Sequence, residues 1–432
     1  MSLLVGLILL IDALCISKEE KIEKAFLKRV FPLLVIFTLL SAWMIFQTIS
    51  LSQSSPLSNP LWAETQKILG LSTPNSISLN PADTQQSLVL FLLYGSTFWL
   101  SARFSRRSKE AKIILKAFMF ASALYATYGL FTYFLNLKSI LWFDKWAYHN
   151  DVTSTFINRN TYATYAGLGV IVSLTVLFNT IGKQLHNRLS RKDLIRILVD
   201  NVTHQSWLPS LALLLNTTAL LQSHSRGGFL SLLPALIFLI FGLVRIQLLP
   251  PKLLIIFFAI IASGGLFAMS MSSDLTVKRL STTTFESALR DDVYLMTIKA
   301  IQENPLLGSG AGTFEEAFKA HKNNDTRLSY HNWDKAHNVY LEIAMENGLI
   351  ATAIILVLFL LIFQRNTHAL FNRKRRQIFP LGSATCLILV AGHSLIDFSM
   401  QIPGFTVSFL LLIGLGWAQS WPSQTQPKTE LD

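Results

Sequence analysis

Residues 336–348 read AHNVYLEIAMENG, and the first of them are of the kinds that move protons. A neutral imidazole such as His337 can accept a proton from a hydroxyl near neutral pH. Asn338 and Glu342 follow at i, i+4, so on a helix they share a face one turn apart. An amide or carboxylate in that position can set the tautomer of a neighbouring imidazole. The same residues also suit a helix cap at a water–lipid boundary, the commoner use for a histidine in isolation.

Arginines supply the complementary chemistry. In SHSRGGFLS, 223–231, Arg226 stands in a short turn between two apolar runs, beside Gly227 and Gly228. An arginine beside lipid is expensive unless it faces water or a partner, and its planar fork suits a phosphate. The alternative is an interfacial side chain that snorkels to headgroups. Arg290 adjoins Asp291 and Asp292; it is a clamp if its helix lies over a membrane mouth and a surface ion pair otherwise. Arg159, between two asparagines in FINRNTYATY, 156–165, suits hydroxyl-rich or phosphate ligands, or a polar helix start. His393 and Asp397, again at i, i+4, read first as a bonded pair that orients the bundle, or else as a support behind a site.

The elements that must position these groups are membrane helices. The chain has 432 residues, 51% hydrophobic and 14% charged, with a mean hydropathy of +0.43. Soluble domains carry about a quarter charged residues. Eleven apolar runs approach the roughly 20 residues a span needs: 2–16, 30–51, 87–102, 113–137, 161–181, 208–223, 229–248, 253–271, 338–363, 378–396 and 404–419. The first lacks a basic leader and a small-residue cleavage site, so it reads as a retained helix. The fold class expected is all-α, a polytopic membrane protein of about 11 helices.

Connecting segments alternate in charge. Segments 17–29, 103–112, 182–207, 245–252 and 364–377 hold twenty-two Lys/Arg; 52–86, 138–160, 224–228 and 397–403 hold five. The positive-inside rule places the first set in the cytoplasm. It also explains the net charge of +12 as basic residues lying against anionic lipid, so nucleic acid is not an expected partner. The chain then divides into spans over 1–271, an extracytoplasmic loop over 272–337, spans over 338–419 and a polar cytoplasmic tail over 420–432.

The long loop reads as a helical hairpin. Leu289, Val293, Met296 and Ala300 share one helical face, and Asn304-Pro305 ends that helix. GSGAG is a tight turn, and Thr313 with Glu316 suggests a capping box for a second helix. Cys15 and Cys386 both lie in apolar runs and read as packing residues. No P-loop, no H-E-x-x-H and no Cys/His cluster occurs, and neither a metal nor a cofactor is expected.

Taken in order, SRGG at 225–228, Arg290, NPLLGSGAGTF at 304–314, AHNVYLEIAMENGLI at 336–350 and HSLIDFSMQIP at 393–403 resemble the O-antigen ligase and polymerase superfamily. NRN at 158–160 is similar to many members, and the resemblance covers about 156–415. It implies a glycosyltransferase C-like membrane fold with a periplasmic loop over the site, in the bacterial inner membrane. It implies metal-independent, inverting transfer of a glycan from undecaprenyl pyrophosphate to an acceptor hydroxyl, on lipid A–core or a similar acceptor for a ligase. The alternative is a polymerase of lipid-linked repeat units; a protein O-glycosyltransferase or a lipid-linked oligosaccharide transporter are further readings. By position Arg226 and Arg290 look like the clamps on the donor pyrophosphate and His337 like the proton acceptor; Arg159, Asn338 and Glu342 are expected to touch substrate.

Overall fold

The computed structural model describes residues 20–52, 54–70, 75–185, 206–251, 276–321, 333–373 and 375–422. The apolar runs at 2–16 and 253–271 lie outside them, as do the last ten residues of the tail. Helices α1 (Glu20–Thr48), α2 (Pro60–Leu69), α3 (Pro81–Phe104) and α4 (Ser108–Phe134) come first. A hairpin follows, β1 (Ser139–Ile140) and β2 (Phe143–Asp144), then α5 (Arg159–Leu185), α6 (Trp207–Gln222) and α7 (Arg226–Arg245). The remainder is α8 (Thr276–Glu303), α9 (Phe314–His321), α10 (Val339–Asn372), α11 (Ile378–His393) and α12 (Pro403–Gln419).

The chain is a multi-pass, mostly helical membrane protein. Among the described residues, six helices are long and apolar enough to cross a bilayer: α1, α3, α4, α5, α7 and α10. Helices α6, α11 and α12 have 16, 16 and 17 residues, short of a full span at 1.5 Å rise each. The expected eleven spans are therefore not all present among the described residues. The all-α class holds, with one small hairpin at 139–144.

Helix α5 is the axis of the bundle. Tyr162, Leu168 and Ile171 along it are fully buried, and it packs on α4, α6, α7 and α11. Helix α12 packs on α3 and α11 through small residues: a Cβ on Gly414 would lie 2.6 Å from the Phe98 carbonyl. Such close backbone approach is how helices associate where water supplies no driving force. Asn216 Nδ2 donates to Ser122 Oγ at 3.2 Å, a buried polar link between α6 and α4.

Contacts sort the helix ends into two groups. At one end Arg365 lies 3.8 Å over the Trp421 ring, with Arg29, Arg106 and Arg245 over Trp421, Phe26 and Phe371. At the other, Val152 N–H donates to the Gln222 carbonyl, Leu79 N–H to Ser309 and Val339 N–H to Ser394. Helices α8 and α9 belong to this second end and build a small core of their own. Leu289, Val293, Ala300, Phe314, Phe318, Ala344 and Met345 are buried in it, with Met296 packed alongside, so the helical face read from the spacing is the buried one.

Two local readings change. Thr313 Oγ1 donates to the Ser309 and Gly310 carbonyls, and Glu316 reaches towards Asn80 Nδ2 at 3.4 Å, so no capping box forms. The Phe314 N–H is taken instead by Glu346 Oε1 at 3.1 Å, a carboxylate from α10. The apolar run that begins at Val339 is also not one straight helix. Gly348 sits at φ 79°, ψ 163°, which separates a short segment, Val339–Asn347, from the long apolar stretch after it.

Candidate active site

His337 is placed by what its neighbours do with their backbones. It adopts φ 54°, a left-handed conformation, immediately before the cap of α10. Asn338 is that cap: Oδ1 accepts from the N–H groups of Tyr340 and Leu341, both at 3.1 Å, and Nδ2 donates to the Leu395 carbonyl at 3.0 Å. Glu342 is buried; its Oε2 accepts from the Ala336 N–H at 2.7 Å and its Oε1 lies 3.6 Å from Lys335 Nζ. Burial works against the Lys335 charge, but Glu342, then Glu346 and Asp334, outweigh it and hold its pKa above the ordinary value. Both side chains expected to meet substrate are thus turned to the polypeptide, where they fix the strand that carries His337.

The imidazole itself is left to aromatic walls. Its ring meets Phe398 edge-on at 4.9 Å between centroids and Trp333 at 5.8 Å. Nδ1 is buried and has no hydrogen-bond partner among the described residues. Neither Asn338 nor Glu342 sets its tautomer, because both are spent on backbone groups. Burial, and after it the positive charge of Arg290, lower the His337 pKa to about 4, so the ring is neutral at physiological pH.

Arg290 reaches this group from α8. One turn further on, Tyr294 donates from Oη to the His337 carbonyl at 3.0 Å, so α8 lies directly over the head of α10. Arg290 is half-buried. It acts on Asp397 as well as His337. Arg226 begins α7 and is exposed. Ser225 caps that helix, accepting from the Gly228 N–H at 3.2 Å and donating to Asn160 Oδ1 at 2.8 Å. The turn is packed hard against the α11–α12 connection: a Cβ on Gly227 would lie 2.6 Å from Ile396 Cδ1. Arg226 therefore stands at the same end of the bundle as His337 and Arg290, and no contact joins its side chain to theirs.

The O-antigen ligase family model matches residues 211–356, from α6 into α10. Arg226, Arg290 and His337 all fall within that stretch. That stretch, about a third of the chain, is similar to the O-antigen ligase family and supports the resemblance to the O-antigen ligase and polymerase superfamily. No curated protein matches it.

Part of the candidate site lies outside the matched stretch. Arg159 heads α5, with Nη1 2.9 Å from Asp151 Oδ2 and its guanidinium over the Tyr148 ring. Asp151 also meets His224 Nδ1 at 2.8 Å. Burial alone would raise the Asp151 pKa; the bonds from His224 and Arg159 outweigh it and hold it below the usual carboxylate value. Arg159 is thus an anchored cation whose Nε remains buried and without a partner among the described residues. His393 and Asp397 are not a side-chain pair. His393 Nδ1 meets Ser399 Oγ at 3.2 Å, while Asp397 Oδ1 accepts from the Phe398 N–H at 2.6 Å. Burial raises the Asp397 pKa to about 6, against Phe398, Asn160, Arg290 and Arg159, which lower it. Among the described residues no three His, Cys, Asp or Glu side chains gather as metal ligands.

Sequence reasoning missed Tyr294, Phe398, Lys335 and the Asp151–His224 pair. Tyr294 had a usable signal, since it shares a helical face with Arg290 at i+4. The Asp151–His224 pair joins residues 73 apart in sequence, and nothing local points to it.

Proposed function

We propose that the protein transfers a glycan from undecaprenyl pyrophosphate to an acceptor hydroxyl, as a ligase acting on lipid A–core or a comparable acceptor, in one inverting displacement without a metal. The acceptor oxygen attacks the anomeric carbon, the bond to the pyrophosphate oxygen breaks, and the hydroxyl proton passes to His337. The leaving pyrophosphate gathers negative charge, which Arg290 and Arg226 stabilise. Preorganised cations beside the breaking bond act there as a metal ion does elsewhere. Arg226 also begins α7, whose N-terminal dipole favours an anion at the same place. The basic end of the bundle faces the cytoplasm of the bacterial inner membrane in this reading, and His337 faces outward.

The observation that carries the proposal is the half-buried imidazole of His337, its Nδ1 buried and without a partner among the described residues, and its charged form opposed by burial and by Arg290. The test is transfer from a defined undecaprenyl pyrophosphate glycan by the membrane-embedded protein. His337→Ala is expected to lose about 10²–10⁴-fold in rate, with donor binding retained. Full activity in that variant would overturn the base assignment. In a deletion strain, long chains stranded on the lipid carrier mark a ligase; accumulation of single repeat units marks a polymerase and corrects the acceptor.

A further inference from the structure

The connection from α4 to α5 folds back as the β1–β2 hairpin. Ser139 pairs with Asp144 and Ile140 with Phe143, which leaves Leu141 and Trp142 as its turn. The tip is apolar and bare: Leu141 is 49% exposed, Trp142 79%, Phe143 64% and nearby Trp146 72%. The Trp142 and Phe143 rings lie 5.8 Å apart, so they form one patch. Leu141 adopts φ 55°, where water-facing hairpins place Gly or Asn. A left-handed conformation costs a side-chain-bearing residue roughly 1–2 kcal/mol.

The tip lies beside the membrane-spanning part of α4. Leu141 N–H donates to Tyr128 Oη at 2.5 Å. Tyr128 stands six residues before the end of α4, about 9 Å down the helix axis. The last turns of α4 expose Leu124, Phe131 and Phe134 on the way to the hairpin, so the apolar surface is continuous. Backbone groups that enter lipid must be bonded within the protein, and the Tyr128 hydroxyl serves the turn amide in that way. The root is polar: Tyr133, Asn136, Lys138, Lys145 and His149 line a cavity of about 100 Å³ there. An apolar aromatic tip below a basic root matches the gradient from acyl chain to lipid phosphate.

We propose that residues 138–146 form a membrane anchor, its tip seated at the acyl–headgroup boundary of the leaflet on the site end and Lys138 and Lys145 at the lipid phosphates. The anchor is tied to the site, because Lys145 Nζ donates to the Asp151 carbonyl and Asp151 holds Arg159 and His224. It thereby sets the depth of α5 and of the α6–α7 turn against the bilayer. The inference stands independently of the transfer chemistry.

The test uses the full chain in phosphatidylcholine–phosphatidylglycerol nanodiscs, with Cys15 and Cys386 replaced by serine. A nitroxide is placed by Trp142→Cys or, separately, by Trp146→Cys. Collisions with oxygen and with a water-soluble nickel chelate are compared with those of Leu124→Cys on the lipid-facing side of α4 and Lys319→Cys on exposed α9. At both anchor positions the oxygen-to-nickel ratio is expected to exceed that at 319 by about threefold and to approach that at 124, as for a side chain about 5–10 Å into the boundary. A ratio equal to that at 319 overturns the proposal. Protection from both probes overturns it in favour of a protein surface. A water-like ratio that changes only when oligosaccharide is added overturns it in favour of a glycan-binding tip. The second label position guards against a disturbance of the turn by the first.

Discussion

The proposed base, His337, is kept uncharged by its surroundings, first by burial and then by Arg290. If the donor pyrophosphate sits on Arg290, its negative charge offsets the second of these causes. The pKa of the imidazole then rises when donor binds, and the base strengthens as it is needed. The acidic limb of kcat/KM, which reports the free enzyme, is expected near pH 4, and the limb of kcat at a higher pH. Coincident limbs near pH 6.5 would show that the site does not hold the imidazole neutral. Stability follows the same sign. A histidine with a folded pKa below its unfolded value of about 6.5 leaves the native state intact above that pH. Its contribution is lost as pH falls from there towards 4. Asn338 and Glu342 show how far residues could be read in advance. Their spacing was correct, but Asn338 spends its amide on the helix cap and Glu342 its carboxylate on the Ala336 N–H. Which way a polar side chain turns at a helix mouth depends on the loop folded over it, and spacing does not encode that loop.

At the level of elements, the junction between the long loop and α10 is a seam of backbone bonds. Ser309 N–H donates to the Met345 carbonyl, Gly310 N–H to Glu346 and Leu349 N–H to Pro305. Gly348 makes the seam possible at φ 79°, ψ 163°, a region that is essentially glycine-only. A Cβ there would also lie 2.1 Å from the Leu306 carbonyl oxygen. Gly348→Ala is therefore expected to destabilise the purified protein by about 3 kcal/mol or more. Gly404→Ala, whose Cβ would meet nothing within 4 Å, is the control and should stay within about 0.5 kcal/mol in the same thermal unfolding assay. The apolar runs foretold most of the described helices, because burial in lipid demands length and hydropathy that any reading detects. The kink at Gly348 and the capping of α9 by Glu346 were not legible. Each depends on a partner more than thirty residues away, which periodicity cannot reveal.

For the whole molecule, the alternation of basic segments in sequence becomes two chemically different ends. Arg29, Arg106, Arg245 and Arg365 rest on aromatic rings at one, and the long loop with its site covers the other. Single cysteines test the orientation proposed for them in spheroplasts. Lys319→Cys is expected to react with a membrane-impermeant maleimide at once, and Arg376→Cys only after the membrane is permeabilised. The reverse pattern would place the site on the cytoplasmic face. The charge alternation was fully legible; the joining of Arg159 and Asp151 from one connection with His224 from another was not, since it is a product of bundle closure. The peptide seam beneath the loop has one further effect. Bonds between main-chain groups are indifferent to which residues flank them, so the loop's outward side chains can diverge freely while the histidine keeps its place. In the proposed reaction, choice of acceptor and power to transfer are then separable traits.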